Sequence, residues 1–174
     1  MRALAVASLS LLALFGLGSP ALAQSTISLT PQLAAVSGVR AFFITLRGDG
    51  LCKIEQDRIA AEMRDILRAA NIKVVDRFDS RFPDLPIMEI SIDAFSLGST
   101  KCMWFGKVVL RANTTGAQID GIHYFDYRDI WMSGFRSNSR SADDFSDALL
   151  NSFVAQLQLL VTDIARAKKM FPDL

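Results

Sequence analysis

The spacing of hydrophobic residues changes several times along the first half of the chain, and each change predicts a new element. Residues 36–46 carry β-branched and aromatic side chains at both alternating sets of positions, as in an interior strand that is covered on two sides. The glycine-rich turn 48–50 ends this strand, and apolar residues then recur at helical spacing over residues 59–70. Asn71 is a residue type that stops helices in the left-handed conformation. The apolar stretch 72–75 completes a β-α-β unit whose two strands we expect to be parallel.

The second half begins with a regular alternation of apolar and polar residues. Over residues 87–94 one set of positions is apolar and the other polar, which predicts a strand with one wet side. Residues 103–112 and 119–132 predict two further strands, separated by turns, in an antiparallel meander. Residues 141–144 resemble a capping box with Asp in place of Glu, and they open a helix with a broad apolar stripe that runs to about Lys169.

The order of elements, β-α-β-β-β-β-α, predicts an α+β fold. We expect a mixed, mostly antiparallel sheet with the two amphipathic helices packed on one face. This architecture resembles small exported α+β modules: the amino-terminal domain of the Tol translocation protein and the periplasmic domains of curli-secretion and penicillin-binding-protein-activator lipoproteins. The likeness covers the chain from residue 24 onward and depends on element order, so it implies a fold and not a function.

Residues 1–23 have the layout of a secretory signal. Arg2 precedes an apolar run over residues 3–18, and the small residues Ala21 and Ala23 form a signal-peptidase site. We therefore expect an exported, periplasmic or secreted protein with a signal peptide at 1–23, an irregular arm at 24–35 and one domain at 36–174. A signal retained as an anchor is the alternative. No Cys stands near the cleavage site to carry a lipid anchor, as it would in the lipoproteins named above.

Size and charge narrow the function classes. Removal of the signal leaves about 150 residues, the size of one domain with one core. No later stretch reaches about 18 uncharged apolar residues, so no integral membrane span is expected after cleavage. Basic and acidic residues are equal in number once Arg2 is gone. A chain without net charge has no long-range field to attract nucleic acid, and we expect no nucleic-acid partner.

The two cysteines, Cys52 and Cys102, stand 50 positions apart. An even number of cysteines in an exported chain favours one disulfide between them, and two independent buried thiols are the alternative. Neither belongs to a Cys-x-x-Cys pair, which disfavours a thiol-disulfide oxidoreductase.

A glycine-rich turn offers a candidate anion site. Gly48, Gly50 and Lys53 stand between a strand and the expected start of a helix, where free backbone N–H groups can hold a phosphate or carboxylate. The segment lacks the complete pattern of a phosphate-binding loop. A structural turn that positions Cys52 is the alternative interpretation.

Catalytic and metal chemistry have little support in the sequence. His123 is the only histidine, and no carboxylates stand at a spacing that would complete a metal site with it. The Gly-x-Ser-x-Gly elbow of serine hydrolases is missing. We therefore expect a protein without enzymatic activity, metal or cofactor.

Aromatic residues of the meander suggest a binding surface. If the helices cover one sheet face, alternation along the strands sends some of these rings to the other face. The candidate surface comprises Trp104, Tyr124, Tyr127, Arg128 and Trp131. A second layer of core, or cover from the 24–35 arm, is the alternative. The sequence thus predicts an exported binding or assembly module that contacts another envelope protein through this face or a strand edge. A periplasmic carrier of a small apolar or lipid ligand is the alternative function.

Overall fold

The computed structural model describes residues 29–75, 85–114, 118–119, 122–123, 126–139 and 141–173, without the side chains of 114, 118–119, 122–123 and 126. The signal segment, arm residues 24–28 and Tyr124 lie outside the described residues. The elements in chain order are α1 (Pro31–Ala34), β1 (Gly38–Gly48), α2 (Gln56–Ala69), β2 (Lys73–Val75), β3 (Ile87–Leu97), β4 (Lys101–Thr114), β5 (Gln118–Ile119), β6 (Ile122–His123), β7 (Asp126–Asn138) and α3 (Phe145–Met170).

Five strands form one mixed sheet in the order β2-β1-β3-β4-β7. β1 runs parallel to both β2 and β3, whereas β3, β4 and β7 form an antiparallel meander. The predicted α+β fold and the parallel β-α-β unit are therefore confirmed. The strand predicted at 119–132 is wrong as a single element. β5 and β6 form a separate two-stranded sheet, because the dipeptide Asp120-Gly121, a strong hairpin signal, stands between them.

The helix ends follow local chemistry. Asn71 has φ of +58° directly after α2, so the predicted left-handed stop is confirmed. The Ser141 hydroxyl accepts a hydrogen bond from the Asp144 backbone N–H (3.2 Å) in the turn before α3. The N-cap of α3 is Asp144, whose side chain makes no capping hydrogen bond, so the predicted capping box at 141–144 does not cap the helix. The arm is more regular than predicted. Thr30 caps the short helix α1 by accepting from the Leu33 N–H at 3.2 Å, and Pro31 occupies its first turn.

The core lies between the helices and one face of the sheet. α2, α3 and α1 bury their apolar sides there, and the alternate residues of β3 that the pattern predicted are all buried. The strand residues on this covered face include Met88, Ile90, Ile92, Ala94, Cys102, Trp104, Val108, Leu110, Trp131 and Phe135. β1 is an interior strand as expected, but the prediction that both its faces are covered is wrong. Ile44, at a bulge in β1, is 52% exposed.

Candidate binding surface

The second face of the sheet is open to solvent. Strand side chains alternate between the two faces, so the residues between those of the core point away from the helices. We call this side the open face. On it stand Glu89, Ser91, Asp93 and Phe95 of β3, Met103, Phe105, Lys107, Val109 and Arg111 of β4, and Met132, Gly134 and Arg136 of β7. Of these residues Val109 is buried, and the others are at least partly exposed.

Large apolar side chains are exposed on the open face. Phe95 is 45% exposed, Phe105 43% and Met132 47%. The rings of Phe95 and Phe105 meet edge to face with their centroids 6.4 Å apart, the arrangement that aromatic pairs prefer. Met103 pairs directly with Phe95 across β3 and β4. We call Phe95, Met103 and Phe105 the outer aromatic cluster.

Charged residues surround this cluster. The register places Asp93 on one side of Phe105 and Arg136 on the other. Lys101 and Lys107 on β4 are exposed, as is Arg136. An apolar centre with a charged border is the usual composition of a protein-protein contact surface.

An ion network occupies the other end of the open face. The Arg111 guanidinium donates from Nε to Asp129 Oδ1 (2.7 Å) and from Nη1 to Glu89 Oε1 (2.9 Å). The hydrogen bond to Asp129 is the main cause that raises the pKa of Arg111, and the charge of Glu89 adds to it. The network crosses β3, β4 and β7, and it fixes the orientation of its three side chains.

Two residues of the predicted surface lie in the core. Trp104 and Trp131 are 0% and 1% exposed, so their assignment to a contact surface is wrong. Trp104 packs edge to face on Phe145 with centroids 5.6 Å apart. The Trp131 Nε1–H donates to Asp163 Oδ2 in the core (3.1 Å). Both side chains stand at the strand positions that face the helices, so they belong to the main core between helices and sheet and not to a second layer on the other face.

The other predicted surface residues lie far from the outer aromatic cluster. Tyr127 is 40% exposed and Arg128 is exposed at the beginning of β7, whereas Met103 pairs with Asn138 at the end of β7. The prediction did not include Phe95 or Met132 in the surface. The sequence did contain a signal for Phe95. It follows Ser91 and Asp93 at alternate positions of β3, so it lies on the same face as these polar residues although its side chain is aromatic.

The glycine-rich turn has a structural role that the geometry explains. α2 begins only at Gln56, so Gly48 and Gly50 are not at a helix N-terminus as the anion site required. A Cβ at Gly48 would collide with the Cys52 carbonyl oxygen. The Asp49 carboxylate accepts from the Ser96 N–H (2.8 Å) and hydroxyl (2.7 Å) and joins the turn to β3. Lys53 is exposed beyond the turn. These contacts favour the alternative, a turn that positions Cys52.

The predicted disulfide is confirmed. Cys52 and Cys102 are bonded, with Cα atoms 5.7 Å apart, and both are fully buried. The bridge connects the turn after β1 with the beginning of β4. Ser139, directly after β7, also binds the backbone of Cys102. Its N–H donates to the Cys102 carbonyl oxygen (2.8 Å), and its hydroxyl accepts from the Cys102 N–H (3.0 Å).

The described part of the chain has no grouped metal ligands and one helix long enough to cross a membrane. Within it, no three His, Cys, Asp or Glu side chains form a group that could hold a metal ion. Among the described helices, α3 is long and apolar enough to cross a membrane by length and composition. Its apolar stripe packs against the sheet, with Phe153, Leu157 and Leu160 fully buried, as in a core helix.

The fold and this surface define a small α+β domain with a mixed sheet, helices on one face and exposed aromatic residues on the other. No family model and no curated protein matches the chain. The solved structures that are similar to this chain include two lipoproteins. Rare lipoprotein B from Shewanella oneidensis has a TM-score of 0.40 and 10% identity, covering 78% of this chain and 98% of that one. A minor lipoprotein from Acinetobacter baumannii has a TM-score of 0.37 and 8% identity, covering 76% and 95%.

Neither structure belongs to the families that the order of elements resembles. Both are lipoproteins, as two of those three families are. At these identities and TM-scores, the likeness carries no argument about the function of this chain.

Proposed function

We propose that this protein is an exported, non-enzymatic binding module of the cell envelope that contacts another envelope protein through its open face. The observation that carries the proposal is the outer aromatic cluster, where Phe95 and Phe105 stand exposed beside each other on a sheet face. Burial of an exposed aromatic side chain against a partner lowers the free energy, and aromatic residues contribute much of the binding free energy of protein interfaces.

The composition of the face favours a protein partner. The apolar centre is small, and Asp93, Lys107 and Arg136 surround it at the register positions beside Phe105 and Gly134. Charges at the border of a contact surface select partners and orient them without adding much affinity. A complementary surface would therefore present an apolar group to the cluster and acidic groups to Lys107 and Arg136.

Two features support the proposed compartment. Residues 1–23 have the composition of a secretory signal, and disulfides such as Cys52–Cys102 form and persist outside the reducing cytoplasm.

The predicted alternative, a carrier, would hold its ligand near Phe153 and Leu157. Both are fully buried, and the ring of Phe153 already lies 6.3 Å from that of Phe135.

The test is a photo-crosslinking amino acid placed at single positions of the full chain in its own host. At Phe105 we expect a crosslink to one discrete envelope polypeptide. Met170 is the matched control, because it is also an exposed hydrophobic residue but stands at the end of α3. Crosslinks that are equal at both positions, or none at Phe105, would contradict the proposal. A small added mass in the native mass spectrum would favour the carrier.

A further inference from the structure

β7 is a long strand at the edge of the sheet. It spans 13 residues and pairs with β4 on one side, and no strand in the described part of the chain pairs with its other side. Its final portion is accessible, since Met132, Gly134 and residues 136–138 are exposed. An exposed edge of this length is a template for pairing with another strand.

The backbone direction along this edge follows from one hydrogen bond. The Ser139 N–H donates to the Cys102 carbonyl oxygen (2.8 Å), so Ser139 points its backbone groups toward β4. In an antiparallel ladder this direction alternates. Ser133, Phe135 and Ser137 therefore also face β4, whereas residues 132, 134, 136 and 138 present their N–H and C=O groups outward.

The edge lacks the usual protection against pairing. Natural edge strands are commonly interrupted by Pro, Lys or a bulge. The stretch 132–138 contains no Pro and no Lys, and Arg136 is its only charged residue. The bulge of β7, where Ile130 has no partner between Asp129 and Trp131, lies before this stretch.

Gly134 has no role within the domain that requires glycine. A Cβ there would meet only the Gly106 carbonyl oxygen, at an ordinary contact distance of 3.6 Å. Gly106 differs, because a Cβ on it would collide with the Phe135 ring. A glycine inside a strand weakens it and often marks a bulge, a tight bend or a place where a ligand or another backbone comes close; the bulge of β7 is at Ile130 and not at Gly134. Gly134 stands at the middle of the exposed edge.

We propose that the β7 edge pairs with β7 of a second copy of this chain, antiparallel, about a two-fold axis at Gly134. This register places Gly134 opposite itself and Met132 opposite Arg136 on both sides of the axis. An axis at Arg136 would place two guanidinium groups opposite each other, and an axis at Met132 would bring Arg136 toward Arg128. The pairing joins two sheets into one and continues the open face across both copies. It does not rest on the proposed function of that face.

A cysteine at the axis tests the pairing. Residues opposite each other in a hydrogen-bonded antiparallel pair have Cα atoms about 5.5 Å apart, within the range that a disulfide bridges. Gly134→Cys should form a covalent dimer on non-reducing gels. Lys107→Cys is the matched control. Lys107 is the exposed register partner of Gly134, one strand further from the edge, so K107C should form no covalent dimer and should run as a monomer on the same non-reducing gels.

The wild-type protein, purified with its disulfide intact, should have twice the monomer mass by light scattering and should dissociate on dilution. A monomer at every concentration, together with equal crosslinking of G134C and K107C, would overturn the proposal. A mixed disulfide of G134C with a different polypeptide would also overturn it, and would assign the edge to a heterologous partner.

Charge at position 132 tests the register independently. Met132 is exposed, so the fold tolerates its replacement. Met132→Glu places a carboxylate opposite Arg136 twice and should lower the dimer dissociation constant, by about two- to thirtyfold for two cross-strand pairs. Met132→Lys should raise it by a similar factor. Equal shifts in the same direction, or no shift in either variant, would overturn the pairing about Gly134.

Discussion

The two faces of the sheet are built from neighbouring residues of the same strands, and they differ in what their side chains contact. Trp104 and Phe105 are adjacent on β4, and each meets a second aromatic ring edge to face. The Trp104 pair is closed within the core, whereas Phe105 remains exposed with Phe95. The ring geometry is thus alike, and only the side of the strand differs. A contact between two aromatic rings therefore does not by itself distinguish a core from an interface. What distinguishes them is whether other elements pack over that face of the sheet.

Polar groups show the same contrast. On the covered face, the buried side chains of Asp163 and Gln156 accept hydrogen bonds from Trp131 and Ser133. On the open face, Arg111 binds two carboxylates at the margin of solvent. A buried donor or acceptor that loses its partner cannot turn to water, so its loss costs more free energy.

The largest effect on stability is expected from a cavity between the helices and the covered face of the sheet. Trp104→Ala removes a fully buried indole and leaves a cavity, which should lower the free energy of unfolding by about 3–5 kcal/mol. Phe105→Ala is the control on the open face, and it should cost less than about 1 kcal/mol. Guanidinium unfolding at equilibrium measures both. Equal losses would mean that the two faces do not differ in cover.

The disulfide ranks next. Replacing both Cys52 and Cys102 by Ala removes a cross-link across 50 positions and should cost up to about 4 kcal/mol by the chain-entropy model. Reduction of the wild-type protein in the same unfolding experiment should reproduce this loss. A double variant as stable as the oxidised protein would contradict the prediction.

A single buried hydrogen bond should have an intermediate effect. Trp131→Phe keeps an aromatic ring in place but removes the N–H that donates to Asp163. The loss should be about 1–3 kcal/mol, because the buried carboxylate loses the donor at Oδ2, although its ion pair with Arg166 through Oδ1 (3.5 Å) remains. Tyr127→Phe, an exposed site on the same strand, serves as the reference. If the two variants unfold at the same denaturant concentration, the Trp131–Asp163 bond does not contribute.

The ion network of the open face should matter least. Arg111→Met should lower the free energy of unfolding by less than about 1 kcal/mol, and added salt should reduce the difference. The folded pKa of Arg111 is raised, so its contribution is complete below the unfolded pKa and is lost only as pH rises through the folded pKa. Between about pH 6 and 9 the effect of R111M should therefore be constant. A strong pH dependence in this range would show that another group carries it.

Local signals in the sequence account for much of the fold. The alternation over residues 87–94 predicts which side of β3 is buried, Asn71 predicts the end of α2, and the two cysteines predict their bridge. The first two features depend on residues that are close in sequence. The third depends on the fact that two cysteines can form only one disulfide with each other. The parallel pairing of β1 with β3 is different, because it brings together strands separated by a helix and a third strand, and no local pattern encodes it.

The candidate surface was harder to predict for a related reason. Residues 108–110 of β4 are apolar at consecutive positions, so alternation does not say which face of that strand is covered. In β7 the extra residue at the bulge, Ile130, reverses the alternation of side chains between the two faces. Alternation that starts at Tyr127 therefore assigns Trp131 to the wrong face. The side of each aromatic residue is decided by register across strands.

The Cys52–Cys102 bridge also makes part of the chain a covalent ring. α2, β2 and β3 all lie within this ring, whereas β1, β7 and α3 lie on the chain outside it. A protease that cuts once between the two cysteines would therefore leave a single covalently connected molecule, heavier by one water, which separates into two fragments only after reduction. In an oxidising compartment the two fragments would stay joined by the bridge, and in a reducing one they would no longer be covalently linked.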